Sequence, residues 1–314
     1  MSTRPQYRDL QVNGYGGVDF NQDNLSLEAV ERACAKLSSD GVESVLATII
    51  TEELGVMASR ISRLARIVTE SPQARRVIQG FHIEGPFISP ETGYRGAHPL
   101  DAVRPAELDA MKRLLDAGDG LVRIVTLAPE CDNHLRVTRW LTEHGIVVAA
   151  GHCNPSLEQL TEAADAGISA FTHLGNGCPM LLSRHDNIIQ RALSLSDRLW
   201  CCFIADGVHV PFPALRNYIR AAGVERCVVV TDGTAPAGLG PGRYTFSRWD
   251  VTIGDDLAAW APDGSHLLGS ACTMSRAADN LIKHCGFTES ETLTMTRTNP
   301  GSVLDLAKSA FQPR

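Results

Sequence analysis

The chain has 314 residues, 44% of them hydrophobic, with a formal net charge of -7. That length is enough for one large core, and acidic charge spread without long like-charge blocks excludes nucleic acid or an anionic membrane surface as the main partner. The opening "MSTRPQYRDL" lacks a basic-then-apolar signal pattern and no apolar run approaches membrane-spanning length, so the expectation is a cytosolic chain.

Taken in order, the chain repeats one theme. Short apolar, β-branched runs recur as "DLQVNG", "SVLATII", "VIQGFHIEG", "LVRIVTLAPE", "IVVAAGH", "ISAFTHLG", "LWCCFIADG" and "CVVVTDG". Between them lie segments of helical period, such as Leu27, Val30, Cys34 and Leu37, or Leu157, Leu160 and Ala164. Asn154 before Pro155 reads as a helix N-cap and Gly167 as a helix stop. Alternation of this kind indicates parallel βα units, and eight of them predict an α/β fold, a (β/α)8 TIM barrel filling residues 1–314 as a single catalytic domain. After the last run, "TDGTAPAGLGPGRY" reads as a functional loop. From about residue 244 to 268 the short alternating stretches "YTFSRWDVTI" and "DGSHLL" predict an inserted hairpin. A closing helix then carries Met274, Ala278, Leu281 and Cys285 on one face. The nine cysteines have no CxxC or zinc-finger spacing and read as buried, reduced thiols.

The eight runs have apolar bodies and polar C-terminal ends: Gln11 and Asn13, Thr48, Glu84, Glu130, His152, His173, Asp206 and Asp232. In a barrel of this type those ends ring the face that carries the active site. Singly, each has a plain structural explanation: a core or capping histidine, half of an ion pair, a turn aspartate. Together, Glu84, His152 and His173 supply three zinc-type ligands and leave a fourth position for water, the pattern of a catalytic zinc site. Asp232 is placed to take a proton from that water and return it to a leaving nitrogen, with Glu130 and Asp206 as competitors for the role. His98 and His209 are candidates to polarise a carbonyl or to hold substrate hydroxyls.

The motifs "DLQVNGYGGVDFN", "GFHIEGPFI", "GAHP", "TLAPE", "GHCNPS", "THLGNG", "ADGVHV", "VVVTDG" and "LLGSACTM", in this order, resemble the N-acetylglucosamine-6-phosphate deacetylases of the amidohydrolase superfamily. The resemblance covers nearly the whole chain. It implies hydrolysis of the acetamide of N-acetylglucosamine 6-phosphate, with Glu84, His152 and His173 as metal ligands and Asp232 as the catalytic aspartate. It also implies that Ala97 and His98 face the acetamide and sugar, that Asn176 and Gly177 meet the phosphate end, and that His209 contacts the sugar. Leu267 and Gly269 match a loop that closes over the ligand. Arg184 matches an arginine that reaches the phosphate from a neighbouring subunit, which implies a homodimer. Alternatives are an amidohydrolase acting on another N-acyl sugar phosphate or a cyclic amide, or a silent sugar-phosphate-binding homologue.

Two departures from the family pattern carry expectations. Gln11 and Asn13 stand where the superfamily often has a His-x-His pair, and neutral amides are poor zinc ligands, so one divalent ion, zinc, is expected. The first strand starts at about Asp9 and the sequence stops soon after "NPGSVLDLAKSAFQPR", so most or all of the family's small β-sandwich is expected to be missing.

Overall fold

The fold was analysed in a computed structural model that describes residues 7–246, 249–260 and 267–308. The start of "MSTRPQYRDL", parts of "YTFSRWDVTI" and "DGSHLL", and the end of "NPGSVLDLAKSAFQPR" lie outside the described residues.

Each of the eight apolar runs is a strand: β1 Tyr7–Val12, β2 Val42–Ile50, β3 Ile78–Glu84, β4 Val122–Leu127, β5 Val147–Ala150, β6 Ile168–Phe171, β7 Trp200–Ile204 and β8 Cys227–Val230. They pair in parallel in chain order to form one eight-stranded sheet. Successive side chains on a strand face opposite ways, so the sheet sorts its residues into two cores. Outward residues such as Phe81, Ile83, Val148, Cys201 and Val229 pack against the surrounding helices. Inward residues Leu46, Ile124, Ala149, Ala170, Cys202 and Val228 fill the barrel, and Val303, Leu304 and Ala307 of the last helix, Asn299–Lys308, join that inner cluster. Adjacent Cys201 and Cys202 therefore belong to different cores, as their neighbouring positions require.

Helical segments follow the expected periods, with some corrections. Val30, Cys34 and Leu37 of helix Leu27–Ser39 are buried. Leu157 is exposed, because it is the first residue of its helix and lies clear of the buried Leu160 and Ala163. The cap of that helix, Leu157–Asp165, is Ser156 rather than Asn154: the Ser156 hydroxyl accepts from Gln159 N–H while the Gln159 side chain accepts from Ser156 N–H. Seven cysteines are buried and two, Cys131 and Cys178, are half-buried, all nine as free thiols. The expected hairpin is a larger four-stranded antiparallel sheet of strands Gly242–Phe246, Trp249–Ile253, Ala258–Trp260 and Leu267–Ser270. A tight turn at Gly254–Leu257, with Leu257 at φ 58°, sends the chain back for an extra strand that the alternation alone does not announce.

The seam between β1 and β8 is closed by few backbone bonds. Asn13 and Gly14 both donate to the Gly233 carbonyl, at 2.7 and 3.0 Å. Deeper in the barrel a side chain stands in for the ladder: the buried Asp9 carboxylate accepts from Thr231 N–H at 3.2 Å and from the Thr231 hydroxyl at 2.6 Å. Burial pushes the Asp9 carboxyl up to about 7, against the pull of those hydrogen bonds. A raised carboxylate favours the protonated folded state, so Asp9 lowers stability as pH rises from about 4 to about 7. Asp9→Asn keeps an acceptor and a donor at the seam without the charge. The stability advantage of Asp9→Asn over wild type, measured by urea unfolding of the metal-free protein, is expected to grow by about 2 kcal/mol between pH 5.5 and pH 8; an unchanged difference would mean that Asp9 carries no such charge.

Candidate active site

β3 delivers the central carboxylate by simple alternation. Phe81 and Ile83 face outward, so His82 and Glu84 face inward, one above the other. His82 occupies the lower level: Nδ1 donates to the Leu10 carbonyl, and Nε2 lies 2.7 Å from the Thr126 hydroxyl, which is 2.6 Å from that of Thr172. Burial pushes His82 down to about 4, so it is a neutral member of a polar layer between the apolar barrel interior and the mouth. Glu84, the last residue of β3, stands on that layer.

His152 and His173 reach the mouth differently. Ala149 and Ala170 face inward, so continued alternation would turn His152 and His173 to the outer side. Positive φ values of 51° and 31° break the alternation just beyond the ends of β5 and β6. Asp232, beyond β8, is left-handed too, at φ 48°. Such a backbone costs about 1–2 kcal/mol at each non-glycine residue, and strain of this kind gathers at functional sites. Gly177, at φ 61°, packs closely beside the imidazoles: a Cβ there would lie 3.1 Å from His152 Nδ1, tighter than an ordinary contact.

The result is a convergence of donor atoms. His173 Nε2 lies 2.9 Å from Glu84 Oε1, His152 Nε2 lies 3.3 Å from the same oxygen, and the two Nε2 atoms are 3.1 Å apart. A tetrahedral ion with bonds of about 2.0–2.1 Å has ligand-to-ligand edges of about 3.3–3.4 Å, so this triangle is a slightly contracted face of such a site. The chemistry of the atoms agrees. His152 Nδ1 donates to the Tyr94 carbonyl at 2.8 Å, which turns Nε2, the ring atom that can ligate, toward the carboxylate oxygen. A cation between them is attracted to both atoms. His98 belongs to the same cluster: the donor atoms of Glu84, His98 and His152 lie within 4.8 Å of one another, and His98 Nε2 is 3.2 Å from His152 Nε2. The triangle completed by His173 is tighter, and is the better cage. Burial, then the neighbouring His152, push His98 down to about 3, so it is neutral.

Gln11 and Asn13 act as donors. Gln11 Nε2 bridges Glu84 Oε1 and Asp232 Oδ1, at 3.1 Å each, and Asn13 Nδ2 donates to Asp232 Oδ1 at 2.7 Å. A register irregularity between Asp9 and Val12 lets both Leu10 and Gln11 reach the interior. Burial, then the charge of Glu84, raise Asp232 to about 6; a cation bound beside it would pull it back down. Gly269 packs over this aspartate, its Cβ position 3.1 Å from the Asp232 carbonyl oxygen.

The two competitors for the base role are otherwise engaged. Glu130 Oε1 accepts from Asn154 N–H, and Asp206 is paired with His209. The remaining expected contacts lie at the rim or beyond: Asn176 and Leu267 are half-buried, while Ala97 and Arg184 are exposed. The Tyr94 carbonyl that orients His152 escaped sequence reasoning, because a main-chain acceptor has no residue signature.

Among known proteins, the chain is 35% identical to bovine N-acetylglucosamine-6-phosphate deacetylase over 313 residues, covering 97% of this chain and 75% of that protein. The chain belongs to the N-acetylglucosamine-6-phosphate deacetylase family. It is also 30% identical to an N-acetylgalactosamine-6-phosphate deacetylase of Escherichia coli O157:H7, over 96% of this chain and 77% of that one. The same family supplies a structural match: a mutant of the Mycobacterium smegmatis enzyme in complex with N-acetyl-D-glucosamine-6-phosphate superposes with a TM-score of 0.86 at 30% identity, over 98% of this chain and 80% of that chain. No family model matches the chain. The family relatives are thus longer, and among the described residues the sheets outside the barrel are the four-stranded one and a two-stranded pair at Gly14–Tyr15 and Val18–Asp19.

Gln11→Leu removes both amide donors from the two buried carboxylates. The metal-free variant is expected to lose about 1–3 kcal/mol in urea unfolding, the cost of leaving buried acceptors short of a partner; wild-type stability would mean the bridge contributes nothing.

Proposed function

We propose that the chain hydrolyses the acetamide of N-acetylglucosamine 6-phosphate to acetate and glucosamine 6-phosphate. The observation that carries this reading is the convergence of Glu84, His152 and His173 donor atoms beside Asp232 at the mouth of the barrel. These three residues would hold one divalent ion, zinc by the mixture of imidazole and carboxylate ligands. When bound, such an ion polarises a carbonyl and lowers the pKa of a water to about 7.

The rest is done by the chain. Gln11 and Asn13 hold the Asp232 carboxylate at the edge of the cluster. Asp232 takes a proton from the attacking water as its oxygen bonds to the acetyl carbon, then gives that proton to the nitrogen as the C–N bond breaks. His98 and His209 hold the acyl and sugar oxygens, Ala97 lines the acetamide side, and Asn176 and Gly177 meet the phosphate end. Leu267 and Gly269 cover the ligand. Arg184 reaches the phosphate of a neighbouring subunit's substrate, its forked donors suited to two oxygens at once. Support for that pairing comes from the adjacent Met180 and Leu181, 100% and 92% exposed, an apolar surface that a second copy would cover. No helix of the described residues is long and apolar enough to cross a membrane, and nine free thiols suit a reducing cytosol.

Acetate release is the direct test. Wild type is expected to release acetate from N-acetylglucosamine 6-phosphate, to stop with a chelator, and to recover with zinc. Asp232→Asn is expected to lose at least about a thousandfold in kcat while holding one zinc per chain by elemental analysis; near-normal turnover would remove Asp232 from the mechanism. The galactosamine epimer, assayed alongside, decides which sugar is preferred.

The ligand assignment has a readout that needs no turnover. Zinc at about 100 times its Kd is expected to stabilise the stripped wild type by about 2.7 kcal/mol. Glu84→Gln and His152→Gln should lose that stabilisation and His98→Gln should keep it; the opposite ranking would make His98 the ligand. For the dimer, Leu181→Asp is expected to yield monomers in sedimentation and to raise KM at least about tenfold, the loss of a charge-assisted phosphate contact.

A further inference from the structure

Asp206 and His209 lie three residues apart in the loop after β7, and both side chains are only 1% exposed. Asp206 Oδ2 sits 2.6 Å from His209 Nδ1, while its other oxygen accepts from the N–H groups of Val208 and His209, at 2.9 Å each. Three donors thus converge on one carboxylate. Burial opposes its charge, but the His209 contact and the two backbone bonds outweigh that and hold Asp206 below the usual carboxylate range. An ionised carboxylate can only accept, so the proton of this contact lies on His209 Nδ1.

That fixes the other end of the ring. His209 Nε2 is buried and has no hydrogen-bond partner among the described residues. A buried polar atom left unpaired costs about 1–3 kcal/mol, which a ligand oxygen would recover. The loop follows β7, the strand paired in parallel with β8, so it leaves the barrel on the same rim as Asp232. The loop that carries the pair is pinned: Asn280 Nδ2 donates to the Ala205 carbonyl at 2.9 Å, and Gly207, at φ 81°, has the Phe212 ring within 2.7 Å of its Cβ position. A Cβ at Gly207 would collide with that ring, and its positive φ suits glycine, which restrains the turn between Asp206 and His209.

We propose that Asp206 is a positioning residue of this hydrolase: it locks the His209 ring in the Nδ1–H form and presents Nε2 to a substrate oxygen. The proposal rests on the deacetylase reading for its substrate and adds a residue that acts only through His209. Orientation of a histidine by a buried carboxylate is worth about 10–100-fold where the histidine works on a ligand.

The test is a double-mutant cycle on the zinc-loaded enzyme, joined to nitrogen-15 NMR of the histidine rings. Asp206→Asn is expected to lower kcat/KM by about 10–100-fold, with zinc content unchanged. Made in a His209→Gln background, it is expected to change kcat/KM less than about threefold, because residues that act as a unit are not additive. In the NMR spectrum the signal absent from His209→Gln should show the proton on Nδ1 in wild type, and a mixed or reversed tautomer in Asp206→Asn. Asp206→Glu should recover part of the lost activity. An equal loss in both backgrounds, or an unchanged tautomer, overturns the proposal. The NMR result needs no turnover, so a wild type that releases no acetate would sink the deacetylase reading while the Asp206–His209 pairing is still decided.

Discussion

Crowding of ring nitrogens around one carboxylate oxygen organises this molecule. His152 donates through Nδ1 to the Tyr94 carbonyl, which aims Nε2 at Glu84 Oε1, 3.3 Å away, with His173 Nε2 at 3.1 Å and His98 Nε2 at 3.2 Å from that same nitrogen. A buried carboxylate needs positive charge beside it: burial works against a charged His173 but the Glu84 contact raises its pKa, so a proton there or a bound cation meets that need. The surrounding fold adds to the crowding. Two of the three converging residues sit in left-handed backbone, and a second carboxylate, Asp232, is held close enough to feel Glu84. Strain is thus concentrated where donor atoms converge, which is the logic of a preorganised site.

The supports beneath this cluster are neutral by design of their hydrogen bonds. His82 is deprotonated by burial and saturated by Leu10 and Thr126, so it contributes no competing charge one level below Glu84. Gln11 serves two acids with one amide nitrogen. An imidazole at position 11 would offer a ligand atom where the amide offers donors, and a second ion would then compete for Glu84 and Asp232. The amide therefore ties both carboxylates to a single cluster, Glu84 within the triangle of donor atoms and Asp232 at its edge.

Much of this was legible in the sequence because barrels impose a strict relation between strand order and position. Eight apolar runs in parallel order leave their polar ends on one rim, and the residues at those ends, Glu84, His152, His173 and Asp232, are the ones the structure brings together. What escaped had no local signal. Alternation predicts neither the inward turn of His152 and His173, which depends on backbone φ, nor the bulge that brings Leu10 and Gln11 to the same side. Asp206 reads from the sequence as a competitor for the base role, because its 2.6 Å contact with His209 depends on the shape of the turn between them. The extra strand Ala258–Trp260 was hidden by its shortness, and the Ser156 cap by a neighbouring Asn-Pro pair with a similar signature.

Closure of the barrel and assembly of the site are one mechanical event. Asp9 joins β1 to Thr231, just past the end of β8, and two residues further along β1 Gln11 meets Asp232 by an amide-to-carboxylate bond. Asn13 repeats the pattern, its N–H on the Gly233 carbonyl and its side chain on Asp232. Asp9, Gln11 and Asn13 thus hold the segment that follows β8 by contacts that include a side chain, in place of a continuous backbone ladder. A slip of the seam by one residue would reverse the facing of every one of these groups. Asp232 can therefore stand beside Glu84 only when the barrel is shut, and the geometry of the candidate site and the integrity of the fold depend on the same few bonds.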